Sequence, residues 1–567
     1  MANKFNNFFC NIAGNLVNKL PQKSFDGDEL KTYYIKKGVK GNSFKFTVIS
    51  EDELMKLLKS MNVNKSTGSD GISARFVKDS SNVIVAPLTY IVNLSLRTCK
   101  VPDGFKEAKV IPLYKKGNSN LEGNYRPVSI LPVISKLLER IVYDQLYKYL
   151  CDNNLIYQFQ SGFRPMFSTD TALTYLSDRL KMNIDKGMYT GVILLDLQKA
   201  FDTVDHVILE NKLKAIGCDD CVNWFHSYLC NRSQFVNVNG VVSSSQVISC
   251  GVPQGSILGP LLFSIYVNDM ERALDCDLCL YADDSMLLVS GKDVKQIEAK
   301  LCIEMDKIKN WLDINKLSLH LGKTESILFA SKRKLKKASE LNITCQGVKI
   351  ESKSNVKYLG AVLDQDMSGT TMGKSVIKKV NASLKFLYRK SGCLKFTERK
   401  LLCSSLLQSR IDYAFNVYYR SLQKCIRNKV QTAQNKFVRF ILGYDSRFHL
   451  TSSDFKKVKF LDIENRFTYL SLNMIHNVHS GRSPLYLCNF QSTQDVHQHN
   501  TRNSSLSYVI PQVNKQGSTT FMYNAAKAWN SIPVSLRAIE SKNSFKHKCK
   551  LYLFSKMDEV EKNDFVM

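Results

Sequence analysis

An α+β fold is predicted for the centre of this 567-residue chain, with a mainly helical remainder. Three observations predict it. The apolar run Val192-Ile-Leu-Leu195 ends on Asp196 and has the length and character of a buried strand. Two short apolar segments, Leu278 to Tyr281 and Met286 to Val289, are joined through Ala282-Asp283-Asp284-Ser285, which suits a strand-turn-strand hairpin with its acidic residues at the tip. Around these strands, apolar residues recur at helical spacing, and the length leaves room for several structural units.

The elements follow in order. The first sixty residues are weakly patterned, with Phe5, Phe8 and Phe9 clustered and a Gly- and Lys-rich stretch from Lys36 to Lys45, so residues 1–60 read as a linker. Ile134, Leu137, Leu138, Ile141, Val142 and Leu146 share a helical face, and Pro132 fits the break before that helix. Asp205 is placed to cap a helix carrying Leu209, Leu213 and Ile216, and Gly217 to end it. Past Gly369 the pattern is helical among many basic residues, with Leu384, Leu387, Leu401, Leu402, Leu406 and Leu407 as its apolar positions. A further helical block runs from about Leu461 to Val478, and Ala525 to Trp529 and Phe545 to Phe554 also have helical spacing.

Lys and Arg number 79 against 51 Asp and Glu, a net charge of +28. Such an excess favours a polyanionic partner, because a basic surface that neutralises phosphates releases their counterions. It is unevenly placed: Gly291 to Phe440 holds 31 basic and 12 acidic residues, hence 31 − 12 = +19. The 16 Cys are scattered and the start, Met1 to Gly14, lacks an uninterrupted apolar core, which argues against a secreted disulfide scaffold and for free thiols in a reducing compartment. Cys218 and Cys221 have no second pair nearby to complete a zinc site. The longest apolar run, Ile257 to Val267, is interrupted by Gly259 and Pro260 and falls short of the ~20 residues a spanning helix needs.

A carboxylate at the end of a buried strand is usually an ordinary cap or turn residue. If the strands bearing Asp196 and Asp283 are neighbours, however, their carboxylates would hold two Mg²⁺ ions roughly 4 Å apart. The surroundings decide between these readings. Val192-Ile-Leu-Leu-Asp-Leu-Gln-Lys-Ala-Phe-Asp202, Gly251-Val-Pro-Gln-Gly-Ser-Ile-Leu-Gly-Pro260 and Tyr281-Ala-Asp-Asp284 stand, in order, as the three central motifs of a reverse transcriptase. Gly68-Ser-Asp-Gly-Ile72, Ile111-Pro-Leu-Tyr-Lys-Lys-Gly117, Asn124-Tyr-Arg-Pro127 and Gln160-Ser-Gly-Phe163 resemble its finger motifs, and Gly322-Lys-Thr-Glu325 and Tyr358-Leu-Gly360 its later palm motifs. The series resembles the reverse transcriptase of non-LTR retrotransposons, especially the jockey-like kind. Shorter matches at Phe5 to Phe9, Ser480 to Tyr486 and Ala528 to Pro533 extend the resemblance over most of the chain.

The resemblance implies a right-hand polymerase: fingers and an antiparallel-sheet palm over residues 61–368, a helical thumb over 369–445, and a mainly helical C-terminal region over 446–567. It implies an RNA-directed DNA polymerase that extends a DNA 3′ end on an RNA template with deoxynucleoside triphosphates, using two Mg²⁺ ions for which Mn²⁺ can substitute. Asp196, Asp283 and Asp284 match its metal-binding carboxylates, with the Leu197 carbonyl as a further ligand, and Lys323 matches the lysine that protonates departing pyrophosphate. Phe201 matches the bulky residue that crowds a ribose 2′-hydroxyl, Gln254 the residue under the nucleotide or template base, and Arg126, helped by Lys115, the group over the incoming nucleotide. The competing expectation is a non-catalytic RNA-binding relic or maturase-like factor using the same surfaces. The run Lys332-Arg-Lys-Leu-Lys-Lys337 reads either as an import signal or phosphate contact or as a solvated loop. An intracellular protein is expected, in the nucleus during target-primed synthesis and in the cytoplasm with element RNA, with no membrane partner. No room for an endonuclease domain precedes the fingers, so the chain is expected to be the polymerase part of a longer element protein or a truncated copy.

Overall fold

The computed structural model describes residues 1–38, 43–496 and 506–564; residues 39–42 of the Gly- and Lys-rich stretch lie outside the described residues. Its strands are β1 (Glu107–Tyr114), β2 (Tyr125–Ile130), β3 (Tyr189–Leu195), β4 (Arg232–Val238), β5 (Val241–Val242), β6 (Gln246–Ile248), β7 (Asp277–Tyr281), β8 (Asp284–Gly291), β9 (Glu325–Phe329), β10 (Thr344–Cys345), β11 (Val348–Lys349), β12 (Glu351–Ser352), β13 (Asn355–Tyr358) and β14 (Ala361–Asp364). The chain divides into two compact units, each discontinuous in sequence. The first comprises Met1–Phe163, Leu195–Ser285 and Ile303–Thr324, the second Arg164–Leu194, Met286–Cys302 and Glu325–Met567.

The first unit carries a mixed sheet of order β2-β1-β4-β5, with β6 also on β4. β1 and β2 form an antiparallel ladder from Lys109↔Ile130 to Tyr114↔Tyr125, whereas β1 runs parallel to β4. The helix Ala2–Val17 covers this sheet: Phe5 and Phe9 are buried with Ala108, Val110, Leu131 and Val236. The segment expected to be a linker thus contributes to the core of the unit, and helices also form at Gly27–Lys36 and Glu51–Ser60. The helix predicted after Pro132 spans Val133–Asp152 and buries Leu137, Leu138, Ile141, Val142 and Leu146. Asp205 caps His206–Ala215 by accepting the Ile208 N–H, and Gly217, at φ 96°, follows its end. β7 is anchored by the segment before it: the Leu280 N–H donates to Phe159 O, the Ser161 N–H to Leu280 O, and the Tyr157 hydroxyl to Leu278 O.

In the second unit β9 lies between β12 and β3, and β3 is followed by β8. β3 and β9 pair antiparallel from Thr190↔Phe329 to Leu194↔Glu325, but β12 joins β9 in parallel. The antiparallel sheet expected there is therefore mixed. At Gly191 a Cβ would stand 2.5 Å from Ile297 and 2.7 Å from Leu301, so the helix Val294–Ile314, through these residues of the unit, closes on bare backbone. Beyond the short two-stranded pairs β10–β11 and β13–β14, the rest of the unit is mostly helical, as its apolar spacing predicts. Thr370–Tyr388, Lys424–Leu442, Ile463–His479 and Phe521–Ser531 bury Val380, Val430, Phe437, Leu472 and Trp529 in one core, to which Phe545 and Cys549 of Lys542–Asp564 also belong. The basic run is a one-turn helix, Lys332–Leu335, rather than an open loop, with Lys332 Nζ 3.4 Å from Asp366 and Lys334 over the Tyr189 ring. Among the described residues no helix is long and apolar enough to cross a membrane.

Gly162 tests the anchoring of β7. A Cβ there would lie 2.4 Å from the Ala282 nitrogen, a backbone atom that cannot swing aside. Gly162→Val is expected to destabilise the protein by about 1–3 kcal/mol or more, as overpacking does, seen as a lower melting temperature by calorimetry.

Candidate active site

The candidate metal- and nucleotide-binding residues Lys115, Arg126, Asp196, Leu197, Phe201, Gln254, Asp283, Asp284 and Lys323 all fall in the first unit. β3 ends at Leu195, and the chain leaves it with Asp196 half-exposed. The next residues are fixed by a short antiparallel bridge between Leu197 and Leu319, in which the Gln198 N–H donates to Ser318 O and the His320 N–H to Asp196 O, both at 2.8 Å. The bonds run through the flanking residues, so the bridge leaves the Leu197 carbonyl unused. It also brings in Lys323, whose Nζ is 3.6 Å from Asp196 Oδ2.

The acidic turn is built differently from a relaxed hairpin tip. Ala282 takes a left-handed φ of 57°, an uncommon conformation for a residue with a Cβ, and Asp284 is already the first residue of β8. Gln160, buried, holds the turn in place: its Oε1 accepts both the Gly162 N–H at 2.8 Å and the Ala282 N–H at 3.1 Å. Asp284 reaches solvent, yet the protein around it raises its carboxyl to about 6; desolvation is the largest cause, followed by repulsion from Asp283 and Asp196, with Lys115 pulling the other way. Three carboxylates from two distant stretches therefore share one electrostatic neighbourhood. Among the described residues no three His, Cys, Asp or Glu side chains converge closely enough to form a ready metal cage. The donor set nonetheless fits a hard cation, since its carboxylates repel one another and only Lys323 sits against Asp196.

The cations face the same region. Lys115 and Arg126 stand on the β1–β2 hairpin, where Arg126 pairs across from Leu113 and the Lys115 N–H donates to Asn124 O. Burial lowers the Lys199 ammonium from its usual value; Asp202 offsets this, while Lys115, Arg126 and Lys323 add to the lowering. Four basic side chains thus repel one another beside the carboxylates.

Phe201 lies half-buried, stacked on Phe263 at 4.4 Å between ring centroids and met edge-on by Phe163 at 6.0 Å. Its carbonyl accepts the Val252 N–H, and Val204 O accepts the Gly251 N–H, so the turn after Asp196 and the loop from Gly251 form one backbone assembly. Gly251, at φ 86°, lets that loop pass Asp202: a Cβ would be 2.6 Å from the Asp202 carbonyl oxygen. On its other side the loop is tied to β2 by the bond from the Ser129 N–H to Gln254 O, and Pro260 stands in the first turn of the helix Gly259–Tyr266.

Sequence reasoning missed three supports of this assembly. Glu139, buried in the helix after Pro132, accepts the Ile257 N–H at 2.6 Å and the Tyr228 hydroxyl at 3.0 Å, and burial raises its carboxyl. Asp202 accepts from Gln254, and Gln160 holds the acidic turn. Asp202 and Gln160 lie inside the quoted motifs, but nothing in their spacing says what they touch; Glu139, an acid among the apolar positions of its helix, is the one visible anomaly.

Residues 113–363 match the family model described as reverse transcriptase (RNA-dependent DNA polymerase). The chain carries a reverse transcriptase domain. Its similarity extends beyond that segment. The chain is 27% identical over 414 residues to the RNA-directed DNA polymerase from mobile element jockey of Drosophila melanogaster, covering 71% of this chain and 44% of that protein. The probable RNA-directed DNA polymerase from transposon BS of the same species is 27% identical over 410 residues, covering 69% and 44%, and that from transposon X-element 25% identical over 405 residues, with the same coverage. The chain thus spans under half the length of these relatives. The resemblance to non-LTR retrotransposon reverse transcriptases, first carried by the motifs, is matched by these elements.

The reverse transcriptase domain depends on Glu139 for the shape of its Gly251 loop. Glu139→Leu takes the carboxylate acceptor from the Ile257 N–H and leaves the Tyr228 hydroxyl with Ser256 alone, at a cost of ~1–3 kcal/mol for a group left unpaired. A fall in the urea midpoint of that order is expected, with Glu139→Gln clearly milder.

Proposed function

We propose that this chain is an RNA-directed DNA polymerase of a non-LTR retrotransposon, extending a DNA 3′ end on an RNA template. One observation carries the reading: carboxylates from Asp196 and the Asp283–Asp284 turn lie in one electrostatic neighbourhood with Lys115, and Lys323 sits against Asp196. An acidic group edged by lysines and an arginine suits a deoxynucleoside triphosphate that arrives with metal, because the phosphates meet the cations and the metal meets the carboxylates.

In this reading Asp196, Asp283, Asp284 and the Leu197 carbonyl would hold two Mg²⁺ ions, with Mn²⁺ as a substitute. Bound there, the ions would supply charge neutralisation for the attacking 3′-hydroxyl and the departing pyrophosphate. Arg126 and Lys115 orient the triphosphate, Arg126 both by pairing with phosphate and by stacking. Lys323 donates a proton to the leaving pyrophosphate or offsets its charge once substrate draws it from Asp196. Phe201, braced by Phe263, excludes a 2′-hydroxyl, and Gln254 lies beneath the nucleotide or template base. The β1–β2 hairpin would act as fingers, the strands around Asp196 and Asp283 as palm, and residues 369–445 as a thumb. Lys374, Lys378 and Lys385, exposed on the helix Thr370–Tyr388, are suited to duplex phosphates. RNA template, DNA primer and deoxynucleotides are the partners this implies, in the nucleus during synthesis.

Primer extension on an RNA template with Mg²⁺ tests the proposal. Asp283→Ala is expected to abolish incorporation while leaving binding to a template-primer duplex within about twofold, since the duplex is held through phosphates elsewhere. Purified, folded chain that incorporates nothing with either Mg²⁺ or Mn²⁺ would overturn it. Phe201→Val is expected to admit ribonucleotides, raising their incorporation relative to deoxynucleotides by about tenfold or more, as removal of a steric block worth ~1–3 kcal/mol allows. Replacing Lys374, Lys378 and Lys385 together should weaken duplex binding and flatten its dependence on salt, by up to about 0.9 in slope for each phosphate no longer neutralised.

A further inference from the structure

We propose that Asp202 is a positioning residue that fixes the orientation of the Gln254 side-chain amide. The inference rests on the polymerase reading above and concerns a residue that reading leaves without a role. Gln254 Nε2 donates to Asp202 Oδ1 at 2.7 Å. A carboxylate offers only acceptors, so it selects the amine end of the amide and leaves Oε1 and the second N–H of Gln254 for other partners. A free glutamine at this place would present either end.

Three further observations separate positioning from direct action on substrate. The Asp202 carboxylate is turned inward: Oδ2 is shut off from solvent and has no hydrogen-bond partner among the described residues. The residue borders a cavity of about 50 Å³ that Gln254 and, from the first helix, Phe9, Cys10 and Ala13 also line. Its backbone is held on both sides, by the Phe201 carbonyl bonded to Val252 and by Gly251, where any Cβ would come within 2.6 Å of Asp202 O. Loop and carboxylate therefore move together, and the Asp202 charge, faced by Lys199 and Arg126, has Gln254 as its one hydrogen-bonded side-chain partner among the described residues. The geometry makes Gln254 the route by which Asp202 reaches the nucleotide.

The test is steady-state incorporation by the full chain on an RNA template with an annealed DNA primer. Wild type, Asp202→Ala, Asp202→Asn, Gln254→Ala and the Asp202→Ala/Gln254→Ala double variant are compared, with melting temperatures alongside. Asp202→Ala is expected to raise KM for deoxynucleotide by about tenfold while kcat stays within about twofold, the size expected for a lost hydrogen bond to a charged group. In the Gln254→Ala background the same change should add less than about twofold, because the two residues act as one unit. Asp202→Asn, which keeps the volume and one acceptor oxygen, should recover most of the lost affinity and the wild-type melting temperature. Equal costs with and without Gln254, a fall in kcat at constant KM, or Asp202→Asn as impaired as Asp202→Ala at an unchanged melting temperature would each overturn the positioning role. Those outcomes require an active wild type and leave the polymerase reading standing, whereas a folded wild type that extends no primer overturns both.

Discussion

The backbone bonds that join the turn after Asp196 to the loop at Gly251 are the constraint on which the candidate site depends. Val252 to Phe201 and Gly251 to Val204 are main-chain contacts, so they do not depend on which side chains a copy of the sequence carries. Their condition is steric, and it falls on one glycine: with φ at 86° and the Asp202 carbonyl 2.6 Å from where a Cβ would be, position 251 admits no side chain without moving one segment off the other. Once they are joined, the bond from Gln254 to Asp202 follows as a local consequence, because both residues lie within three positions of a fixed bond, and Phe201 is itself held where it stacks on Phe263.

Electrostatics then explains why so rigid a support is needed. Carboxylates brought together out of water repel one another, and the elevated Asp284 carboxyl registers that cost. A hairpin tip free to relax would spread the charges apart. Here the tip is held by Gln160, which accepts from the Ala282 N–H and keeps a left-handed alanine in place. The same holds for the cations: Lys199 is made easier to deprotonate by burial and by Lys115, Arg126 and Lys323. Like charges of both signs are stored side by side, which is an unfavourable arrangement for the empty protein and a favourable one for a metal-bearing polyphosphate.

How much of this was legible follows from the range of each signal. Asp196 could be read because a run of β-branched and leucine residues has the strand length that ends on it, and the Val133–Asp152 helix because its apolar positions repeat over several turns. The helix Ala2–Val17 is harder: its buried positions are Ala2, Phe5, Asn6, Phe9 and Ala13, a narrow stripe with an asparagine in it, which local periodicity does not separate from a linker. The mixed pairing of β12 on β9 had no signature at all, since two-residue strands carry no period. Glu139 and Ile257 are far apart in sequence, as are Gln254 and Asp202, and polar contacts between distant segments leave no trace in spacing. The motifs name the candidate residues; only the fold shows what braces them.

The bracing also bears on how a single ring can choose between sugars. Rejecting a hydroxyl by size alone fails if the wall gives way, since a shift of under an ångström costs an exposed side chain little. Phe201 is not so free. Its face rests on Phe263, its ring is met edge-on by Phe163, and its own carbonyl is bonded to the loop that carries Gln254. To retreat from a 2′-hydroxyl the ring would have to break a buried aromatic stack or drag the Gly251 loop with it, and packed interiors resist both. In the proposed polymerase, selectivity would belong to the assembly of two motifs, with Phe201 as the part that would touch the sugar.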